Sequence, residues 1–412
     1  MACLLLSVGA TMMASEPAFG QSTSSVPLGL SDVIRIAVEG RSEGDAASAR
    51  IRAGEARAIV VSALEDPMIA PTIDHKPFGM PGMDYSLAFE QRFPISHVRR
   101  HRRQSALAEV LRSRAEADQV RLVVGVEAAN AFLMLHERRR TADLLRENLG
   151  FARDIVAAAN VRYAGGLAPQ SDVLRAEVEV AKLEASLKSS AGEISAAEAM
   201  LNASMGVEVD RPVPTLREAA VKGALPTWPV LQAMLPTLPR LRAGHAEIAR
   251  SEAEVLIMRD MYKPMATVRT GPAYTMAEGA GFMLMVGLSV PIWRSKLRAG
   301  VREARAMKEM SEADLLAMTR MAEGEAAQAL HELEAAGARQ AALRDDVLPR
   351  ALFAIEPALA AYASGRQPLV SVIEAVQTLW SVRAMLIEAD LRVGRAWTRL
   401  GLAGGSFELI ES

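Results

Sequence analysis

From Arg99 to Arg162 the chain runs without a proline. Over that run Ala117, Val120, Val124, Ala128, Ala131 and Leu135 recur at steps of three and four. That spacing is the seam of a helix packed along its length against another. At 1.5 Å per residue the run makes a helix about 96 Å long. A helix of that length does not fit a compact domain; it has to be a rod in a bundle, a fibre or a tube.

The rod stops at a turn, and the turn is duplicated. The stretch Tyr163-Ala164-Gly165-Gly166-Leu167-Ala168-Pro169 is followed by Ser171-Asp172-Val173-Leu174-Arg175-Ala176. Half a chain later come Tyr362-Ala363-Ser364-Gly365-Arg366-Gln367-Pro368 and Ser371-Val372-Ile373-Glu374-Ala375. Tyrosine, glycine, proline and closing alanine keep their spacing, with glycine to stop one helix and proline to open the next. The chain therefore reads as two copies of one unit, each joining two long helices. Residues 1–20 are set apart as a secretory leader, 21–206 as the first repeat, 207–237 as an irregular linker and 238–412 as the second repeat.

Within the first repeat the spacing predicts a helix over Ser31–Ser62 and a short strand over Met68–Asp74, weakened by Pro71. The clearest strand is Met83–Phe93. There Tyr85, Leu87, Phe89 and Phe93 share one face, and Ser86, Ala88, Glu90 and Arg92 the other. Its length suits a tilted strand crossing a bilayer, with the polar face turned to water. After the turn a helix is expected over Ser171–Met205 with Leu174, Val178, Ala181 and Ala185 as its seam, then a proline-rich irregular stretch, Val207–Pro239. The second repeat replays this order: helix Leu238–Met261, strands Met265–Thr270 and Phe282–Val290 around a glycine-rich turn at 277–281, rod Leu297–Ala361, broken only by Pro349 and Pro357 near its end, and helix Ser371–Leu402. Phe282, Leu284, Val286 and Leu288 alternate with Met283, Met285 and Gly287.

Four strands per chain cannot close a barrel, and an open sheet edge cannot face lipid. Three copies supply twelve strands, an even number within the range of outer-membrane barrels. The expected fold class is thus a mostly α, α+β membrane protein: a long-helix α-barrel tunnel continuing a trimeric twelve-stranded β-barrel. On this reading Tyr85, Leu87, Phe89, Leu284, Val286 and Leu288 face lipid. No apolar run of about 18 residues is expected after residue 30, so no spanning helix.

Composition limits the alternatives. With 47 basic and 49 acidic side chains, the balance argues against a nucleic-acid partner. The one cysteine, Cys3, leaves no disulfide framework or thiolate cage; lipidation there stays an alternative should translation begin upstream. Neither a catalytic constellation nor a nucleotide-binding glycine loop is present, so no enzyme activity and no cofactor are expected. His97 and His101, at i and i+4, admit a divalent metal, a basic collar near lipid phosphates or the pore mouth, or plain solvated charge. Met80, Met83, Met276, Met283 and Met285 admit Cu(I) or simple gap-filling.

The duplicated Tyr-x-x-Gly turns, the strand–Pro–Ile junctions Phe93-Pro94-Ile95 and Val290-Pro291-Ile292, and the half-length repeat together resemble the TolC-type outer-membrane efflux factors, over nearly the whole mature chain. Gly79-Met80-Pro81 before Tyr85-Ser86-Leu87, and Val347-Leu348-Pro349-Arg350 before the last turn, resemble its heavy-metal branch. Ser96-His97-Val98-Arg99 departs from the Gly-Lys pair often found at that junction. The resemblance implies a homotrimer in the outer membrane with a helical tunnel across the periplasm. It also implies a periplasmic adaptor and an inner-membrane pump of the resistance-nodulation-division type. At the periplasmic tip it implies a gate and adaptor contact made by Tyr163, Gly166, Asp172, Arg175, Tyr362, Gly365, Arg366, Ser371 and Glu374. Two rivals remain: a channel of this fold serving multidrug efflux or an ABC-type protein secretion system, and a structural coiled coil without transport, which the strands argue against.

Overall fold

The computed structural model describes residues 27–75, 82–218 and 225–407. The leader expected over 1–20, and the Gly79-Met80-Pro81 stretch, lie outside the described residues. Helix α1 (Leu30–Gly40) leads to α2 (Ser42–Ser62), then strands β1 (Met68–His75) and β2 (Asp84–Pro94). The rod α3 (Val98–Ala164) and its return α4 (Gln170–Ser204) complete the first repeat. Helix α5 (Trp228–Met234) lies in the stretch between the repeats, and then come α6 (Pro239–Asp260), β3 (Met265–Thr275), β4 (Gly279–Ser289) and α7 (Arg294–Ala342). A π turn at Leu343–Val347 leads to α8 (Leu348–Phe353), α9 (Ile355–Ala363) and the return α10 (Leu369–Gly404).

The 67 residues of α3 form one uninterrupted helix. Ala117, Val124, Ala128, Ala131 and Leu135 are all buried along it, as the seam predicts. It packs against α2, α4, α6 and α10. Two apolar clusters hold the middle of the rods, one per repeat: Val33, Phe132, Leu135 and Leu201 in the first, Leu231, Leu333, Trp397 and Leu400 in the second. A third, built on Ile155, Val173, Tyr362, Leu369 and Val372, sits beside the two turns and joins the repeats there.

Five expectations need correction. The helix expected over Ser31–Ser62 breaks at Arg41, whose backbone is extended and whose guanidinium bridges Glu43 and Glu127. The expected seam of α4 is one face out. Leu174 and Val178 are 53% and 51% exposed and Ala181 and Ala185 are exposed too, whereas Val173, Ala176 and Leu183 meet the rest of the chain. The helix carries apolar residues on both faces, and periodicity alone does not choose between them. Part of the stretch expected to be irregular is helical, at 228–237. Strands β1 and β3 extend beyond their predicted ends, and β4 starts earlier than expected, at Gly279, taking in part of the glycine-rich turn; Pro71 is accommodated because β1 is an edge strand of this sheet. Finally, α10 is long and apolar enough to span a bilayer, with mean hydropathy 1.3. It packs instead as a rod, and Val372, Val376 and Leu400 are at most 1% exposed.

The sheet is an antiparallel meander in the order β1-β2-β3-β4. Its central seam is between repeats: Tyr85 lies opposite Tyr274, and Pro94 opposite Met265. Ser289 continues that last row on β4. All strand-to-helix junctions therefore leave from one end of the sheet, with the β3–β4 turn at the other.

Candidate functional site

Two regions gather the residues singled out by sequence, the paired turns and the sheet. The turns are built alike. Gly166 and Gly365 have φ of +69° and +71°, the left-handed backbone that glycine adopts without a Cβ penalty. The same two bonds close each turn. The Leu167 N–H donates to the Arg162 carbonyl at 2.8 Å and that of Arg366 to Ala361 at 2.9 Å; Gly166 donates to Tyr163, and Gly365 to Tyr362. Pro169 and Pro368, both extended, open the return helices.

The side chains then break the symmetry. Tyr362 is 7% exposed and Tyr163 46%. Arg162 reaches across, donating to the Ala363 carbonyl at 2.8 Å with its guanidinium 4.6 Å above the Tyr362 ring. Burial pushes the Tyr362 phenol up, and the Asp172 carboxylate adds to this while Arg162 opposes it. Asp172 is itself buried at 7%. Tyr362, Asp172 and the two glycines thus fall into one structure. Arg366 turns back onto Ser364, and the Ser371 N–H is held by the Pro368 carbonyl. Arg175 and Glu374 are exposed and do not pair with one another within the chain. Arg162 escaped the sequence reading as a site residue. The available signal was asymmetry, because the second repeat has Ala361 at the matching place.

On the sheet, Tyr85, Leu87, Phe89, Leu284, Val286 and Leu288 all lie on one outer face, between 44% and 71% exposed. Ile69, Ile73 and Phe282 extend that face, and Tyr85 stacks on Tyr274 with centroids 5.1 Å apart. The opposite face carries Glu90, whose carboxylate lies 3.5 Å from both Arg92 and Arg269. It is not open to water throughout: Ser86 and Ala88 are 5% and 0% exposed, where β3 closes tightly on β2.

His101 is not free to chelate with His97. Its Nδ1 lies 2.9 Å from the Asp260 carboxylate, which Lys263 also meets at 2.9 Å. No group of three or more potential metal ligands occurs among the described residues.

A cavity of about 280 Å³ lies midway along the rods, bordered by His136, Arg140, Gln340, Arg344 and Asp390. Arg140 and Gln340 meet Asp390 at 2.6 and 2.7 Å. Burial holds the His136 pKa below 6.5, and Arg140 and Arg139 add to that against Glu218 and Asp390. Between 6.5 and this lowered value the unfolded chain binds a proton that the folded chain refuses. Stability is therefore expected to fall as pH drops below about 6.5. His136→Gln should flatten that part of the profile of thermal midpoint against pH in detergent; an unchanged slope would assign it to other groups.

Comparison with known proteins places these features in a wider set. Residues 76–207 and 230–406 match the family model described as outer membrane efflux protein. The chain is 28% identical over 235 residues to the cobalt-zinc-cadmium resistance protein CzcC of Cupriavidus metallidurans; the match covers 55% of this chain and 54% of that protein, about half the length of each. Among solved structures it superposes on CusC with a TM-score of 0.79 at 14% identity, covering 92% of both chains. On the open state of the Neisseria gonorrhoeae MtrE outer membrane channel the TM-score is 0.77 at 15% identity, covering 93% of both. At such identities the structural likeness speaks for the fold.

Proposed function

The chain belongs to the outer membrane efflux protein family, and on that premise we propose that it is the outer-membrane channel of a tripartite efflux system, a conduit and not an enzyme. Three copies join their sheets into a twelve-stranded barrel in the outer membrane, and the rods continue it as a periplasmic tunnel. The observation that carries this reading is the sheet itself. One face is a continuous apolar row, and both edges, β1 and β4, lack a partner strand among the described residues. Lipid accepts the first and forbids the second, and neighbouring copies resolve it. The second apolar stripe of α4, Leu174 and Val178, fits a stave with neighbours on both sides. Native mass measurement in detergent should give a trimer, and the trimer should conduct ions in a planar bilayer; a stable monomer would overturn the proposal.

Substrate class follows the likeness to CzcC: the pump and adaptor served would be of the metal-exporting, resistance-nodulation-division kind. Deleting the gene should sensitise cells to cobalt, zinc or cadmium, while sensitivity confined to drugs or a lost secreted protein would favour the other partners.

The paired turns are the gate in this reading. Arg162 clasps the second turn to the first at Tyr362 and Ala363, and Arg175 and Glu374 face neighbouring hairpins of the ring with opposite charge. A cation–π contact of this kind contributes about 1 kcal/mol, and three copies act on one shared opening. Arg162→Ala and Glu374→Arg should each raise single-channel conductance. Combining Glu374→Arg with Arg175→Glu should restore part of the closure. Conductance that stays at the wild-type level in both single variants removes these residues from the gate.

A further inference from the structure

The strand-to-rod junctions carry a charge pattern that a tunnel wall does not require. Between Glu90 and Glu109, and again between Glu278 and Glu303, the chain has no acidic residue. Yet the first interval holds Arg99, Arg100, Arg102 and Arg103, and the second Arg294, Lys296 and Arg298. Many arginines farther along the rods are paired; Arg112, for one, lies within 3.3 Å of Glu109, Glu116 and Glu247. None of these seven junction cations meets a carboxylate among the described residues. Cations at a helix N-terminus also oppose its macrodipole, and neither α3 nor α7 has an acid in its first turn. The arrangement costs the helices something and returns them no ion pair.

The same place is apolar in a directed way. The outer row of β4, Phe282 to Leu288, continues at alternate positions through Val290 and Ile292, which are 56% and 67% exposed. Trp293 follows at 72%, with Ile95 at 56% on the first junction. Arg294 is held over the Tyr262 ring at 5.7 Å. A tryptophan and long cationic side chains directly below an apolar row is the composition of a membrane–water boundary, where stems lie along apolar surface and heads reach phosphate.

We propose that these two junctions form a collar that binds anionic phospholipid headgroups at the rod-facing leaflet, with Arg294, Lys296 and Arg298 on the phosphates and Trp293 as the interfacial anchor. The collar rests on the outer-membrane reading given above. It adds a lipid preference that closure of a barrel does not need.

Trp293 supplies the readout. The trimer is reconstituted into nanodiscs of phosphatidylcholine containing either brominated phosphatidylglycerol or brominated phosphatidylcholine, and tryptophan quenching is followed against Trp293→Phe as baseline. The expected result is quenching of Trp293 at lower mole fraction of the anionic lipid, with about fivefold of that preference lost per cation removed in Arg294→Gln, Lys296→Gln and Arg298→Gln. A variant with Arg294→Lys and Arg298→Lys keeps the charge and should keep the preference, which separates charge from folding. Equal quenching by the two lipids, or a preference that survives all three glutamines, overturns the collar. So does an unquenched Trp293 in a trimer that inserts and conducts, because that outcome turns this face to the tunnel. Failure to insert at all would instead count against the barrel reading.

Discussion

Leu284→Arg is expected to destabilise the assembled trimer by about 2–4 kcal/mol, the cost of a cation on the lipid face of a barrel near mid-bilayer. Leu284 is the midpoint of β4 and is 67% exposed in the middle of the apolar row. Its neighbour Met283 points to the other face, opposite Gly271, which has no side chain to clash. Met283→Arg places the same charge one residue away and should be much milder. Trimer yield in the outer-membrane fraction and the thermal midpoint in detergent measure both. Equal loss from the two substitutions would mean that the faces are assigned the wrong way round.

Gly271→Val should be the most damaging single change in the sheet. A Cβ built at Gly271 falls on the Leu87 carbonyl, a backbone atom that cannot rotate away. The β2–β3 seam would have to open, at a cost reaching or passing the upper end of the roughly 1–3 kcal/mol typical of overpacking. Gly287→Val is the matched control, because the nearest atom to a Cβ there is 3.8 Å away on Thr267. The control should fold and assemble while Gly271→Val should give little or no trimer; trimers of equal stability would show that the seam yields more easily than its geometry implies.

The rods were legible because proline is absent over a long run and the apolar step is regular; one missing residue type and one period fix a helix's length. The outer face of β2 and β4 was legible through alternation, and the turn glycines through their duplication. Other features depend on contacts between distant segments. Arg41 breaks the first helix by reaching Glu43 and, on α3, Glu127. The buried face of α4 is chosen by α3, not by its own pattern. The Arg162 clasp joins two copies of a motif that, read singly, look the same, so the duplication that revealed the turns also hid what ties them. Burial of Ser86 and Ala88 likewise follows from a close approach by β3 that alternation along β2 does not reveal.

The seam between β2 and β3 bears on the order in which the molecule forms. The α3–α4 pairing links segments that meet across a single turn and closes early, whereas α3 with α6 joins the two repeats and closes later. The sheet cannot close early either, because residue 85 finds residue 274 only after α3, α4 and everything between them has been made. Each repeat supplies one hairpin, and neither hairpin is the barrel's repeating unit; the unit is the four-strand stave that exists once both halves have met. Pairing of long-separated strands is slow, and a two-stranded hairpin is marginal alone. The α3–α4 hairpin can therefore stand folded in the nascent chain while the sheet, like the contact of α3 with α6, waits for the second repeat.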